Sequence, residues 1–333
     1  MQIAARPSRV DVAFVAFIGV LLVYYQYYLS LMVFPVWDGA VYLENARNWL
    51  NGEPLLEPYR PPLISWIIAG IWFFTGEEWV FAKYLQSMFT VGAGILLYLT
   101  LRAGKGSTFA LAVTVLTMLN AQLFFWSTQI ITEGLSLFFV VLALYLLKSK
   151  KQQYWLIAGV VMALTFASRY PIFLQVMVIL IAEAIARRNA KLVAMAMVGM
   201  VPVLALVVSL VYAKTGTFII AITRDSRIDI FSPYYVENAL AIFGPVFLLV
   251  PVAFLFKRTY ADRYNFVFMA WFILAFLFWS ANAENHQARF MIQLMPAAYF
   301  LAVLAIDNIW KGNILSGRLF ANLKRPRLSG NNL

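Results

Sequence analysis

The chain has 333 residues, 63% of them hydrophobic and 17% aromatic, with only 12% charged and a formal net charge of +11. Soluble domains hold roughly 45–50% apolar and about 25% charged residues, so this composition excludes a soluble globular fold and predicts an all-α polytopic membrane protein. Cysteine is absent, which excludes disulfides and Cys-ligated zinc or iron–sulfur sites. The basic residues sit in short clusters between apolar runs, a topology signal facing anionic lipid, and no nucleic-acid partner is expected.

A membrane-crossing helix needs about 20 mostly apolar residues. In chain order the runs of suitable character are 10–34, 80–101, 107–126, 132–147, 154–167, 171–186, 192–213, 238–256, 264–280 and 290–306. They predict about ten spans. The first run is longer than a signal-peptide core of about 7–15 residues, and it is expected to remain as a transmembrane helix. A further apolar run, 61–74, is short for a span. If it stays out of the membrane, most of the 26 Lys and Arg and few of the 15 acids fall on the inner side together with both termini, as the positive-inside rule requires. If it crosses, every later loop inverts and four basic clusters move outside. It is therefore predicted as a re-entrant or interfacial helix on the outer face. No polar stretch of about 50 residues or more is left for a soluble domain. Residues 1–333 are expected to form one transmembrane domain, with an outer first loop over 35–79 and a short basic cytoplasmic tail over 307–333.

The first loop opens with Trp37-Asp38-Gly39. Gly39, Tyr42, Leu43, Ala46, Trp49 and Leu50 then share one helical face and Glu44, Asn45, Arg47, Asn48 and Asn51 the other, a pattern that predicts a helix lying in the interface plane. Asp38 stands at its start, where an Asp caps a helix or, with its second oxygen, addresses a substrate. Arg60 precedes Pro61-Pro62 on a stiff stretch; its planar fork suits a phosphate, while the plainer role is a snorkelling anchor. Glu133 opens the fourth span, where an acid also simply suits a helix N-terminus. Arg169, in Ser168-Arg169-Tyr170-Pro171, lies between two spans joined by almost no loop. A charge so close to hydrocarbon is a functional candidate by default. The last outer loop holds the only histidine, His286, followed by Arg289 at the start of the final span. One His among carboxylates leaves a divalent metal open, although without a second His an ordinary loop residue is the simpler reading. Arg289 is the better phosphate candidate. No Walker-type loop, GxSxG or HExxH is present, so nucleotide hydrolysis, serine hydrolase and zincin chemistry lack support.

These motifs, in this order, resemble the GT-C superfamily of integral membrane glycosyltransferases, especially protein O-mannosyltransferases and the aminoarabinose transferase of lipid A. The resemblance rests on Trp37-Asp38-Gly39 with Tyr42 and Ala46-Arg47, Asn51-Gly52-Glu53-Pro54, Tyr59-Arg60-Pro61-Pro62-Leu63, Thr132-Glu133, Ser168-Arg169-Tyr170-Pro171, Arg289-Phe290 and Leu294-Met295-Pro296. It implies transfer of a hexose, such as mannose, from a dolichyl- or undecaprenyl-type phosphate donor to a hydroxyl of a lipid-linked, glycan or protein acceptor. That transfer would occur on the outer face of the cell membrane. By position it implies Asp38 and Glu133 as the catalytic acids and Arg60, with Arg169 and Arg289, as donor phosphate ligands. Tyr42, Glu57, Tyr59 and His286 are the expected substrate-binding residues. Where some members carry an acid directly before the basic residue, this chain has Tyr59, with Glu57 two positions earlier. The soluble C-terminal part of longer members is not expected here. The chemistry so implied is an inverting single displacement with Asp38 as base. The rival expectation is a transporter or flippase of a lipid-linked sugar, with a non-catalytic scaffold subunit as a third.

Overall fold

The computed structural model describes residues 8–311 apart from 33–34, 36–37, 150, 217–232 and 282–286, and apart from the side chains of Arg258 and Ala261. His286, the loop centre at 217–232 and the tail from 312 therefore lie outside the described residues. Among the described residues every regular element is helical. They are α1 (Arg9–Ser30), α2 (Asp38–Asn51), α3 (Leu63–Thr75), α4 (Trp79–Lys105), α5 (Ser107–Met118), α6 (Ala121–Ser127), α7 (Glu133–Lys148), α8 (Gln153–Ser168), α9 (Ile172–Arg187) and α10 (Lys191–Thr215). After a stretch of short helical turns, α11 (Arg263–Ala281) and α12 (Met295–Trp310) complete the bundle.

Among the described residues five helical stretches are long and apolar enough to cross a membrane: α1, α4, α10, α11 and the continuous stretch Ala288–Trp310 that ends in α12. The other predicted spans take different forms. α5 and α6 together pass as one span but bend by 62°, because Asn120 breaks the helix and its side chain accepts from the backbone N–H groups of Gln122 and Leu123 at 2.9 and 3.1 Å. Helices α7, α8 and α9 have 16 residues each, about 24 Å at 1.5 Å per residue. The run 238–256, expected as one helix, is split into Ala239–Phe243, a 3₁₀ turn Pro245–Leu248 and Leu249–Ala253. Pro245 and Pro251 each lack the N–H a continuous helix needs. The run 61–74 forms α3, and its 13 residues are too few to span.

α1 is fixed onto α4 at both ends. Asp11, in a capping box with Ser8, accepts from Tyr98 Oη at 2.6 Å and from Arg102 at 3.0 Å. At the opposite end Lys83 Nζ donates to the Leu29 carbonyl at 2.9 Å. The α8–α10 pair approaches to backbone contact: a Cβ on Gly159 would lie 1.9 Å from the Ala196 carbonyl, and one on Gly199 would lie 2.0 Å from the Leu156 carbonyl. α7 sits in the middle, against α4, α6, α8, α9 and the 3₁₀ segment Ala288–Leu294, so its first residue is delivered to the centre of the bundle's end.

Candidate active site

At that end, four parts of the chain meet: the start of α2, the connection between α2 and α3, the α8–α9 turn, and the 3₁₀ segment Ala288–Leu294. Asp38 is the first residue of α2. The predicted polar face of this helix is partly turned inward, since Asn45 and Asn48 are buried. They hold the following loop. Asn45 Oδ1 accepts from Leu56 N at 2.8 Å, its Nδ2 donates to the Glu57 carbonyl at 3.3 Å, and Asn48 donates to the Pro54 carbonyl at 2.8 Å. The loop thus folds back and brings Glu57 and Arg60 to Asp38. Ser65 closes α3 onto α2 by donating to the Tyr42 carbonyl at 3.0 Å.

Glu133 is set by the packing of α7. Gly134 lies so close to α4 that a Cβ there would be 2.5 Å from Thr90 Oγ1 and 2.7 Å from the Gln86 carbonyl, and Gln86 Oε1 accepts from Leu135 N at 3.1 Å. On the other side Gln293 donates to Ser136 Oγ at 2.7 Å and to the Glu133 carbonyl at 3.4 Å. Arg169 terminates α8 in an extended conformation, which turns its guanidinium toward Glu133.

The charged groups form one alternating row. Arg60 Nε donates to Glu57 at 2.5 Å, and its terminal nitrogen lies 3.1 Å from Asp38 Oδ1. The other Asp38 oxygen accepts from Arg289 at 2.9 Å. Arg289 Nε lies 3.6 Å from Glu133 Oε1, which also receives Arg169. Three carboxylates and three guanidiniums therefore neutralise one another. Aromatic faces support the cations: Arg60 is 5.5 Å from the Tyr42 ring centre, Arg169 is 4.9 Å from that of Phe290, and Arg289 is 5.2 Å from that of Trp126. Burial pushes the Asp38 carboxyl up, but the charge of Arg60 and the hydrogen bond and charge of Arg289 outweigh it, and its pKa lies below the usual 3.8. Burial pushes Arg60 down, yet Tyr42, Glu57 and Asp38 hold it above its ordinary value. Burial raises the Tyr42 phenol.

Asp38 and Arg289 also line a cavity of about 320 Å³ with Met32, Phe125, Trp126, Gln129 and Ile131, a size suited to a small ligand group. Of the residues singled out in the sequence, Asp38, Glu133, Arg60, Arg169, Arg289, Tyr42 and Glu57 come together here. Tyr59 adjoins them, half-buried beside Arg60. Gln293, Trp126 and the Asn45–Asn48 clamp were not singled out, and Phe290 entered only as the neighbour of Arg289. Gln293 was detectable as an amide within an apolar run; the aromatics look like core until the arginines are placed on them. Among the described residues no three His, Cys, Asp or Glu side chains converge as they would on a metal ion, and each carboxylate of the row faces a guanidinium.

Comparison with known proteins agrees with this architecture. The profile of the family described as dolichyl-phosphate-mannose-protein mannosyltransferase matches residues 59–212, a stretch that includes Arg60, Glu133 and Arg169. No curated protein matches the sequence. Among solved structures, ArnT from Cupriavidus metallidurans bound to undecaprenyl phosphate superposes with a TM-score of 0.73 at 14% identity over 93% of this chain and 63% of that one. The apo state of the same ArnT gives 0.72 at 16% identity, over 98% and 66%. The oligosaccharyltransferase AglB from Archaeoglobus fulgidus, in complex with an inhibitory peptide and a dolichol-phosphate, gives 0.52 at 13% identity, over 89% of this chain and 48% of that one. The chain thus spans less than two thirds of the length of each. At such identities the likeness is one of fold, and it extends over nearly the whole of this chain. The chain is thus an integral membrane protein that shares the fold of ArnT and AglB over nearly its whole length and, over 59–212, is similar to the dolichyl-phosphate-mannose-protein mannosyltransferase family.

Proposed function

We propose that the protein transfers a sugar from a polyprenyl-phosphate donor to an acceptor hydroxyl at the outer membrane face, in one inverting displacement. The observation that carries this reading is the position of Asp38, a carboxylate at a cavity wall bracketed by Arg60 and Arg289. The ArnT and AglB structures bound to undecaprenyl phosphate and dolichol-phosphate support a lipid phosphate as the group those guanidiniums receive.

Arg289 is the primary donor ligand in this proposal. Arg169 is buried against Glu133, and Arg60 has Glu57 as a partner of its own, whereas Arg289 lines the cavity and shares both of its acids. A sugar-linked lipid phosphodiester carries one negative charge. As it enters, Arg289 and Arg60 re-pair from Asp38 to the phosphate, and the carboxylate, losing its counter-charges, becomes a stronger base. The acceptor oxygen then bonds to the anomeric carbon while its proton passes to Asp38. The bond from that carbon to the phosphate oxygen breaks, and the electron pair leaves on the polyprenyl phosphate, whose second negative charge the guanidiniums meet in a low-dielectric site. Glu133, expected as a second catalytic acid, acts here as a positioning residue that orients Arg289 and Arg169.

Purified protein in liposomes, given a radiolabelled polyprenyl-phosphate mannose and candidate lipid and glycan acceptors, tests the reaction. Label appearing in an acceptor together with free polyprenyl phosphate supports the transferase. Label crossing the bilayer while still attached to the lipid identifies a flippase instead.

A further inference from the structure

A second cluster of charge lies at the far end of the bundle. α7 begins with Glu133 at the candidate active site and ends with Lys148, about 22 Å away at 1.5 Å per residue. There the fully buried carboxylate of Glu183, from α9, receives Lys148 through one oxygen. Its other oxygen receives Arg263 at 2.7 Å and Arg187 at 3.3 Å. Arg187 also donates to the Leu147 carbonyl at 2.7 Å. Three cations share a single acid, which leaves an excess of positive charge; Arg263 reaches solvent, whereas Lys148 and Arg187 are largely buried. The neighbouring Lys105–Asp262 pair, at 2.9 Å, is balanced and offers no compensation.

Lys148 is itself 95% buried, stands 3.9 Å from the centre of the Tyr264 ring and lines a cavity of about 210 Å³. An ammonium has three donors, and Glu183 takes one. Thr100, Ser149, Tyr154 and Tyr264 contribute to the same cavity. Its remaining wall includes Leu99 and Tyr145, which are 39% and 40% exposed on the outer surface of α4 and α7. The lining thus combines a buried cation, several hydroxyl groups and the partly exposed side chains of Leu99 and Tyr145. An amphiphile can place its headgroup at Lys148 and run its chains past Leu99 and Tyr145, whereas a free anion uses only the polar part of that lining.

We infer that this cavity is a binding site for the phosphodiester headgroup of an anionic phospholipid, with Lys148 as the principal ligand and the acyl chains running past Leu99 and Tyr145. The site is independent of the transfer chemistry at Asp38. It would tie the ends of α4, α7, α8 and α11 together through a lipid and neutralise the surplus cation.

The test is thermal unfolding of the purified full chain in neutral detergent with added phosphatidylglycerol, phosphatidylcholine or inorganic phosphate. Phosphatidylglycerol is expected to raise the Tm by several degrees and the other two to leave it within a degree. Lys148→Met should abolish the shift. Ala103→Trp fills the cavity while leaving every charge in place, and should abolish it as well, so the result does not hinge on the folding of the lysine variant. Arg289→Met, at the other end, should keep the full shift. An equal rise with phosphatidylcholine, an equal rise with inorganic phosphate alone, or an unchanged shift in Ala103→Trp would each overturn the proposal.

Discussion

Asp38 and Arg289, separated by 251 positions in sequence, are joined by a 2.9 Å hydrogen bond at the wall of the cavity. The bond holds the start of α2 against the start of the last membrane-crossing stretch. It also fixes the state of the carboxylate before any substrate arrives.

That state has a pH signature. With its pKa held below 3.8 by Arg60 and Arg289, Asp38 is ionised throughout the neutral range, and the acid limb of kcat/KM for the free enzyme should fall below pH 4. Removing a neighbouring cation favours the protonated acid. Arg289→Met should therefore move the limb to higher pH, while Arg169→Met, which does not touch Asp38, should leave it in place. The same depressed pKa contributes stability above the unfolded carboxyl's value, and that contribution is lost as the pH falls through the folded value.

The assignment of the donor ligand predicts a binding difference. Arg289→Lys keeps the charge but loses the planar fork, and should weaken binding of undecaprenyl phosphate by about tenfold, equivalent to about 1.4 kcal/mol. Arg289→Met should weaken it further. Titration of the lipid phosphate against intrinsic tryptophan fluorescence reports both, because Trp126 stacks on this guanidinium.

The Glu133–Arg169 pair is a structural commitment. Both side chains are more than 90% buried, and stripping one partner from such a pair costs about 3–5 kcal/mol. Glu133→Gln should lower the thermal stability accordingly and reduce transfer with it. The double variant Glu133→Gln with Arg169→Met should lose less stability than the single changes sum to, a coupling that a double-mutant cycle measures.

Gly134 gives a purely steric prediction. A methyl group there meets the Gln86 backbone at 2.7 Å, and overpacking of this kind costs about 1–3 kcal/mol. Gly134→Ala should destabilise the protein and reduce kcat with little change in donor affinity, since it shifts Glu133 without contacting the cavity.

Much of this was legible in the sequence, and for physical reasons. The hydrocarbon core demands long apolar helices, so composition disclosed the class. A charge beside hydrocarbon needs a partner, so Asp38, Arg60, Glu133, Arg169 and Arg289 stood out. Which acid meets which arginine was not legible, because every pair except Arg60–Glu57 joins residues from 22 to 251 positions apart and the row depends on how α7 packs on α4. The turns that replace a helix over 238–256 were signalled by Pro245 and Pro251 but outweighed by hydropathy. Asn45 and Asn48 read as solvent-facing because helical periodicity cannot foresee a loop folding back onto its own helix.

The central claim is that Asp38 removes the acceptor proton while arginines hold the donor phosphate, and Asp38→Asn separates the two roles most directly. The amide cannot accept the proton, so transfer should fall by at least about 10²-fold. Undecaprenyl phosphate should still bind at least as tightly as to the native protein, because Arg60 and Arg289 no longer have a carboxylate to prefer. Transfer at a near-native rate by a folded Asp38→Asn protein would contradict the account.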